Sequence, residues 1–229
     1  RMPDWTEEAF AGGLYNVTAG RIANRMDLGG INYTVDSACA SSLTSVAMAV
    51  SELEAGRLNM AITGGVDLQQ HIGSYLSFSK THALSPTGKI RAFDKDADGI
   101  VLAEGVTVLV LKRLDDAERD GDKIYAVIKG WGSSSDGRAK SMTAPHPAGQ
   151  IRALRRAYEK AGITPDQIGL IEAHGTGTVA GDTAETETVL NLLRDSAAPK
   201  SISLGSVKAQ IGHSKSDAGA AGILRAALA

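Results

Sequence analysis

Residues 35–49, VDSACASSLTSVAMA, hold the only cysteine of the chain, Cys39, and their reading decides the fold. Before them, Asn32-Tyr33-Thr34-Val35 reads as a short buried strand with β-branched residues in alternation. After them, Leu43, Val46, Ala47, Val50 and Leu53 recur at helical spacing, and Gly56 closes the run as a C-cap. Cys39 therefore sits where a strand turns into a helix, crowded by Ser37, Ala38, Ala40, Ser41 and Ser42. Unpaired amides and the positive end of the helix dipole favour a thiolate there, and thiolate is the nucleophile. The same amides could hold an oxyanion. A lone cysteine is otherwise a small buried hydrophobe, so chemistry at Cys39 needs partners from elsewhere in the chain.

Composition narrows the classes. The 229 residues are 43% apolar, enough for one sizeable core or two small ones. A formal charge of −2 without a basic cluster gives nucleic-acid binding no electrostatic support. One cysteine excludes an internal disulfide framework and a cysteine-based zinc site. The apolar runs fall short of membrane-spanning length and the polar, acidic opening RMPDWTEEAF is no signal peptide, so a reducing cytoplasmic setting is the default. The chain starts without Met and stops within the apolar run 222–229, which predicts a piece of something longer.

Strand and helix signals alternate along the chain. A helix is predicted over 11–26, ended by Leu28-Gly29-Gly30. The strand Met60-Ala61-Ile62-Thr63 should complete a right-handed βαβ unit with the cysteine helix. Residues 67–98 read as loop, and the acidic run 91–99 as a surface turn lacking the final Glu of a calcium loop. Residues 106–111, VTVLVL, predict a strand buried on both faces. A short charged helix over 114–119, a strand over 124–130 and a long loop over 133–149 follow. Then come a helix over 151–161 capped by Gly162, a strand over 168–173, a helix over 183–194 and a strand over 201–207. Gly212 and His213 open a last, alanine-rich helix. The alternation argues for an α/β fold with a layered core.

His174 follows one predicted strand, and Lys208 and His213 follow another. In α/β sheets ligands gather at the carboxyl ends of strands, so a nucleophile, two imidazoles and an ammonium are expected to converge. Each histidine taken singly is more often structural. The glycines of HGTGT are spaced GxGxxxG, one residue too long for a dinucleotide loop, and Asp182 suits a helix N-cap instead.

VDSACASSL, EAHGTGT with GD-x-x-E, and GSVKAQIGH before an Ala/Gly-rich helix resemble the three active-site motifs of β-ketoacyl synthases, in the same order and over essentially the whole chain. ADGIVLAEGVTVLVLKRL and KGWGSSSDGR look most like ketosynthase domains of iterative modular-type polyketide synthases, including those of polyunsaturated fatty acid and enediyne systems. The resemblance implies an α/β, thiolase-like layered fold (αβαβα), truncated at both ends. Residues 1–130 would be the rest of the N-terminal half with the nucleophile, and 131–229 the start of the C-terminal half with both histidines. The family's opening strands and closing glycine-rich loop would lie outside the chain, and the 229 residues alone are then expected not to be a competent enzyme.

The resemblance further implies a decarboxylative Claisen condensation of an acyl chain on Cys39 with malonyl-acyl carrier protein. His174 and His213 would act on the malonyl group, Lys208 would support His213, and Thr176 and Thr178 would lie near the phosphopantetheine arm. Glu185 matches a glutamate more often structural than catalytic. No metal and no directly bound cofactor is implied, since phosphopantetheine arrives on the carrier protein. Implied partners are acyl carrier protein, a second copy in a homodimer, and other synthase domains in cis. The departures are mild: DSACASS for DTACSSS, GDTAE for GDPIE, AEG for GEG, and Asp217 where small residues are usual. A CoA-dependent condensing enzyme of the same fold is the alternative, disfavoured by two histidines with a single cysteine. An inactive fragment is the other.

Overall fold

A computed structural model of the chain describes residues 4–139, 141, 143–194, 198 and 201–229. Its helices are α1 (Glu7–Gly12), α2 (Asn16–Arg25), α3 (Ser41–Glu54), α4 (Ile72–Lys80), α5 (Leu114–Asp120), α6 (Pro147–Ala161), α7 (Val179–Leu193), α8 (Lys208–Ile211) and α9 (Ala218–Leu228). The strands are β1 (Met60–Asp67), β2 (Gly105–Lys112), β3 (Leu170–Glu172) and β4 (Ser203–Gly205).

β1 and β2 pair antiparallel from Met60↔Lys112 to Asp67↔Gly105. β3 and β4 pair parallel from Leu170↔Ser203 to Glu172↔Gly205, with α7 as the crossover between them. The parallel βαβ unit expected around the cysteine helix is therefore found further along the chain. Residues 32–35 and 124–130 join no ladder among the described residues, and 31–34 are exposed rather than buried. A strand exists only through its partner's hydrogen bonds, and alternation of β-branched residues cannot supply that partner.

The core lies where α3 and α9 pack on each other and on one face of the β1–β2 sheet. Val46, Leu53, Ala61, Ala218, Ala220 and Ala221 are buried there. The helices approach closely because their contact residues are small: a Cβ on Gly219 would stand 2.5 Å from Leu43 Cγ and 3.0 Å from Ser42 Oγ. Ser42 Oγ accepts the Ala220 N–H at 3.0 Å, so α3 supplies a hydrogen-bond partner to the first turn of α9. The two helix N-termini are thereby held side by side.

Other expectations need correction. β2 is buried on one face only: Val106, Val108 and Val110 are 60%, 58% and 64% exposed, while Thr107 between them is buried. Unbroken apolarity in a strand does not say which face is covered. The helix predicted over 11–26 is two helices, interrupted at Gly13-Leu14. The stretch read as loop contains α4, whose first turn is capped by His71 Nδ1 accepting from the Gly73 and Ser74 amides. α7 starts at Val179, so Asp182 lies inside its first turn and Thr178 is its N-cap. The last helix starts at Ala218, after α8 and a 3₁₀ turn over Lys215–Asp217. Positions 140 and 142 of the predicted long loop lie outside the described residues.

Candidate active site

Cys39 sits on a single 3₁₀ turn, Ala38–Ala40, that runs straight into α3. Ala38 is held at φ 51°, left-handed, at a cost of about 1 kcal/mol for a residue with a Cβ. Side chains from both sides fix that turn. Asp36 Oδ1 accepts the Ala38 N–H at 2.9 Å, Ser41 Oγ donates to Ala38 O at 2.7 Å, and Ser41 Oγ accepts the Ser37 N–H at 3.0 Å. The serines flanking the cysteine therefore build the elbow that presents it.

The histidines arrive from the carboxyl ends of the parallel strands. His174 lies two residues past β3. Its own N–H and that of Gly175 donate to the two oxygens of Glu185 on α7, at 2.6 and 2.8 Å. A second carboxylate on α7, Asp182, accepts from Gly177 at 3.1 Å and from Phe93 at 2.6 Å. The HGTGT turn is thus pinned by two acids one helical turn apart, which seat its amides on α7 and on the loop at Phe93. His213 leaves α8 and is stitched to the segment before β2, donating to Val101 O at 2.8 Å and accepting from Ala103 N–H at 3.0 Å. The two imidazoles meet edge to face with centroids 5.5 Å apart.

Lys208 opens α8 just past β4 and is 4% exposed. Glu172 of β3 aims it: Oε1 accepts the Val207 N–H at 2.6 Å, and Oε2 pairs with Arg225 of α9. Burial pulls the Lys208 ammonium below its ordinary pKa, and Glu172, Glu185 and Cys39 pull it back up. Burial likewise pushes the Cys39 thiol up, while Lys208, its own backbone amide and Lys215 lower it and Asp67 raises it. The net direction is upward, so the expected thiolate is a correction: desolvation outweighs the helix terminus and the nearby cation.

Both imidazoles are held neutral. Burial and then Lys208 lower His174 to about 4. Burial, then His174, Lys208 and Lys215 lower His213 to about 3, against a rise from Asp67. His213 is 3% exposed. His174 is open to solvent on one side, so water returns part of its shift and His213 keeps its neutrality to lower pH. His213 Nδ1 accepts the Lys215 N–H at 3.0 Å, which leaves Nε2 as the protonated, donating nitrogen. Lys208 was expected to support His213; the tautomer is fixed by a backbone amide two residues after the histidine.

Thr176 and Thr178 lie together at the start of α7 with Oγ1 atoms 3.0 Å apart. Thr176 is 6% exposed, so its side chain is committed to this turn, and Thr178 is the more accessible. Asp217, the departure noted in the third motif, is 1% exposed and fits because Gly105 leaves room against its carboxylate. Sequence reasoning missed Asp67, Glu172 and Lys215. Their available signal was position, a charged residue at the carboxyl end of a strand or two residues from a histidine.

Among the described residues no group of histidine, cysteine and carboxylate side chains could hold a metal ion, and no helix is long and apolar enough to cross a membrane. The arrangement is that of a thiolase-like condensing enzyme: a cysteine at a helix start and two paired neutral imidazoles, all within the electrostatic reach of one buried lysine.

Comparison with known proteins agrees. The family model for the β-ketoacyl synthase N-terminal domain matches residues 3–117, and that for the C-terminal domain matches 125–229. The chain belongs to the β-ketoacyl synthase family. It is 44% identical over 231 residues to a polyunsaturated fatty acid synthase subunit of Thraustochytrium sp., covering 100% of this chain and 8% of that protein. It is 43% identical over 222 residues to a phenolphthiocerol/phthiocerol polyketide synthase subunit of Mycobacterium tuberculosis, covering 96% and 12%. The ketosynthase from module 6 of the Bacillus subtilis bacillaene synthase superposes with a TM-score of 0.92 at 38% identity, covering 98% of this chain and 41% of that one. The thiolase-like layered fold is thereby established. The chain spans less than half of that solved ketosynthase and a small part of either synthase.

Proposed function

We propose that this chain carries the condensing centre of a ketosynthase domain in a polyketide or polyunsaturated fatty acid synthase. The observation that carries the reading is the pair of edge-to-face imidazoles, both held neutral, beside buried Lys208 and electrostatically coupled through it to Cys39. Cys39 Sγ attacks the acyl thioester on an acyl carrier protein, and the carrier's thiol leaves with the cysteine proton. Because the thiol is held above its ordinary pKa, attack and proton loss are coupled rather than drawn from a standing thiolate.

Malonyl on a carrier protein then loses CO2. The electrons of the broken bond pass into an enolate, whose oxygen needs hydrogen-bond donors. His213 Nε2–H is one, fixed by the bond at Nδ1, and the neutral His174 ring is the other. The enolate carbon attacks the Cys39 thioester, a carbon–carbon bond forms, and the cysteine leaves as thiolate to be reprotonated. Lys208 stabilises that thiolate by charge. Thr178 takes the phosphopantetheine arm in this reading, supported by its position at the accessible edge of the HGTGT turn, with Thr176 behind it. The arm belongs to the carrier, so no separate cofactor enters. We assign the protein to the cytoplasm, as a homodimer with further synthase domains in cis.

The test separates the two half-reactions in the complete protein. His174→Ala and His213→Ala are expected to lower malonyl-carrier decarboxylation by about 10²–10³ while acyl loading of Cys39 falls far less. Parental decarboxylation in either variant removes that histidine from the mechanism.

A further inference from the structure

The N–H that fixes the His213 tautomer belongs to a residue in an unfavourable conformation. Lys215 has φ 50°, in the left-handed region that favours glycine. Its side chain turns back into the protein. Nζ lies 3.0 Å from Asp67 Oδ1, with both side chains 11% exposed, and donates to Ala103 O at 3.1 Å. Asp67 stands at the end of β1 and is itself held in place. It accepts the Gln69 N–H at 3.0 Å through Oδ1 and the Ser216 hydroxyl at 2.9 Å through Oδ2. The single Ser216 hydroxyl proton is shared with Val66 O, also 2.9 Å from Oγ. Ala103 closes the circuit, because its own N–H donates to His213 O. One buried ammonium therefore ties the end of β1, the segment entering β2 and the turn after His213 together.

We propose that Asp67 and Lys215 are positioning residues for His213: their ion pair holds Lys215 left-handed, so that its amide keeps Nδ1 occupied and Nε2–H aimed at the enolate oxygen. This rests on the role given to His213 above. Removing one partner alone leaves a buried charge close to Cys39 and disturbs loading by electrostatics, so the informative variants remove both. Asp67→Asn with Lys215→Met removes the pair and keeps a Cβ at position 215, which disfavours the left-handed conformation. Asp67→Asn with Lys215→Gly also removes the pair, but glycine adopts that conformation without penalty.

The experiment uses the complete protein that carries this chain and measures malonyl-carrier decarboxylation, Cys39 acyl loading by intact mass, and a thermal melt. The methionine double variant is expected to lose at least about tenfold in decarboxylation, toward the roughly 10²–10³ of losing an oxyanion donor outright, with loading unchanged. The glycine double variant is expected to recover most of that loss. Parental decarboxylation in the methionine variant, equal losses in both half-reactions, or no recovery with glycine overturns the proposal. If the methionine variant does not fold, the glycine variant decides: it must decarboxylate near the parental rate, and loss of decarboxylation with loading intact refutes the idea. His213→Ala runs alongside. A parental rate there sinks the histidine assignment itself, whereas a dead His213→Ala beside an unaffected double variant sinks only the role of the ion pair.

Discussion

Gly65→Ala tests how tightly the catalytic turns are packed on the sheet. Gly65 lies in β1, and a Cβ there would stand 2.6 Å from Asp217 Cα, 2.9 Å from Ser42 Cβ and 3.0 Å from Ser216 O. Two of these three atoms are backbone, and the third is the first side-chain atom of a residue 1% exposed, so no flexible end can swing away. Carbon atoms at van der Waals contact sit roughly 3.5–4.0 Å apart, so β1 or the His213 turn must shift by about 1 Å. Overpacking of this kind costs about 1–3 kcal/mol, and clashes against backbone belong at the upper end. At about 2–4 °C per kcal/mol, Tm should fall by roughly 5–10 °C. The turn that moves carries Ser214, Lys215 and Ser216, so decarboxylation should fall more than Cys39 loading. Gly169→Ala is the control, because a Cβ there meets nothing within 4 Å. The assays are a thermal melt and the two half-reactions on the complete protein. A Gly65→Ala variant with the parental Tm and decarboxylation rate would show that the packing argument is wrong.

Four further outcomes follow from the site. Decarboxylation should stay level as pH falls through 6.5, with the acid limb set first by His174, the more solvent-open ring lowered toward about 4, and the His213 step following toward about 3; an acid limb near 6.5 contradicts imidazoles held neutral by their surroundings. Over the same window the unfolded chain binds protons that the folded one refuses, so stability should decline as pH falls below 6.5, read as a falling denaturation midpoint. Alkylation of Cys39 by iodoacetamide should be slow at neutral pH and still rising past pH 9, with Lys208→Met moving the curve further up; a plateau below pH 8 would indicate a standing thiolate. Glu185→Gln turns an acceptor of two amides into a side chain that must point an NH2 at one of them. That costs about 1–3 kcal/mol and should slow decarboxylation through His174, whereas an unaltered rate would show that the turn holds itself.

The sequence made the candidate site residues legible and left their support hidden. Cys39, His174, Lys208 and His213 each follow a strand or turn with its own small-residue punctuation, and all four are gathered in the structure. α3 and the part of α6 from Ile151 onward were readable because periodicity and a following glycine mark a helix locally. Residues 32–35 and 124–130 failed as strands because pairing is a long-range property that alternation cannot see. The same limit hid Asp67 and Glu172, which act on groups far along the chain, at Lys215 and at Val207. Lys208 was given the support of His213 because a cation five residues before the histidine is visible in sequence. A left-handed residue at position 215 whose amide turns back onto His213 Nδ1 is visible only in coordinates. The thiolate expectation failed for a related reason, since helix polarity is local and desolvation depends on everything packed around the sulfur.

The central claim is that Cys39 accepts the acyl chain and the two imidazoles complete its extension. The most direct measurement is a single turnover of the complete protein with acyl-carrier and then malonyl-carrier, followed by peptide mass spectrometry of the protein and analysis of the released carrier. The account predicts one acyl group, found only on the peptide that contains Cys39 and absent from Cys39→Ala, and its disappearance on malonyl addition with one CO2 and one β-ketoacyl-carrier formed. An acyl group that persists on Cys39→Ala, or a loaded Cys39 that malonyl-carrier fails to discharge as β-ketoacyl product, contradicts it.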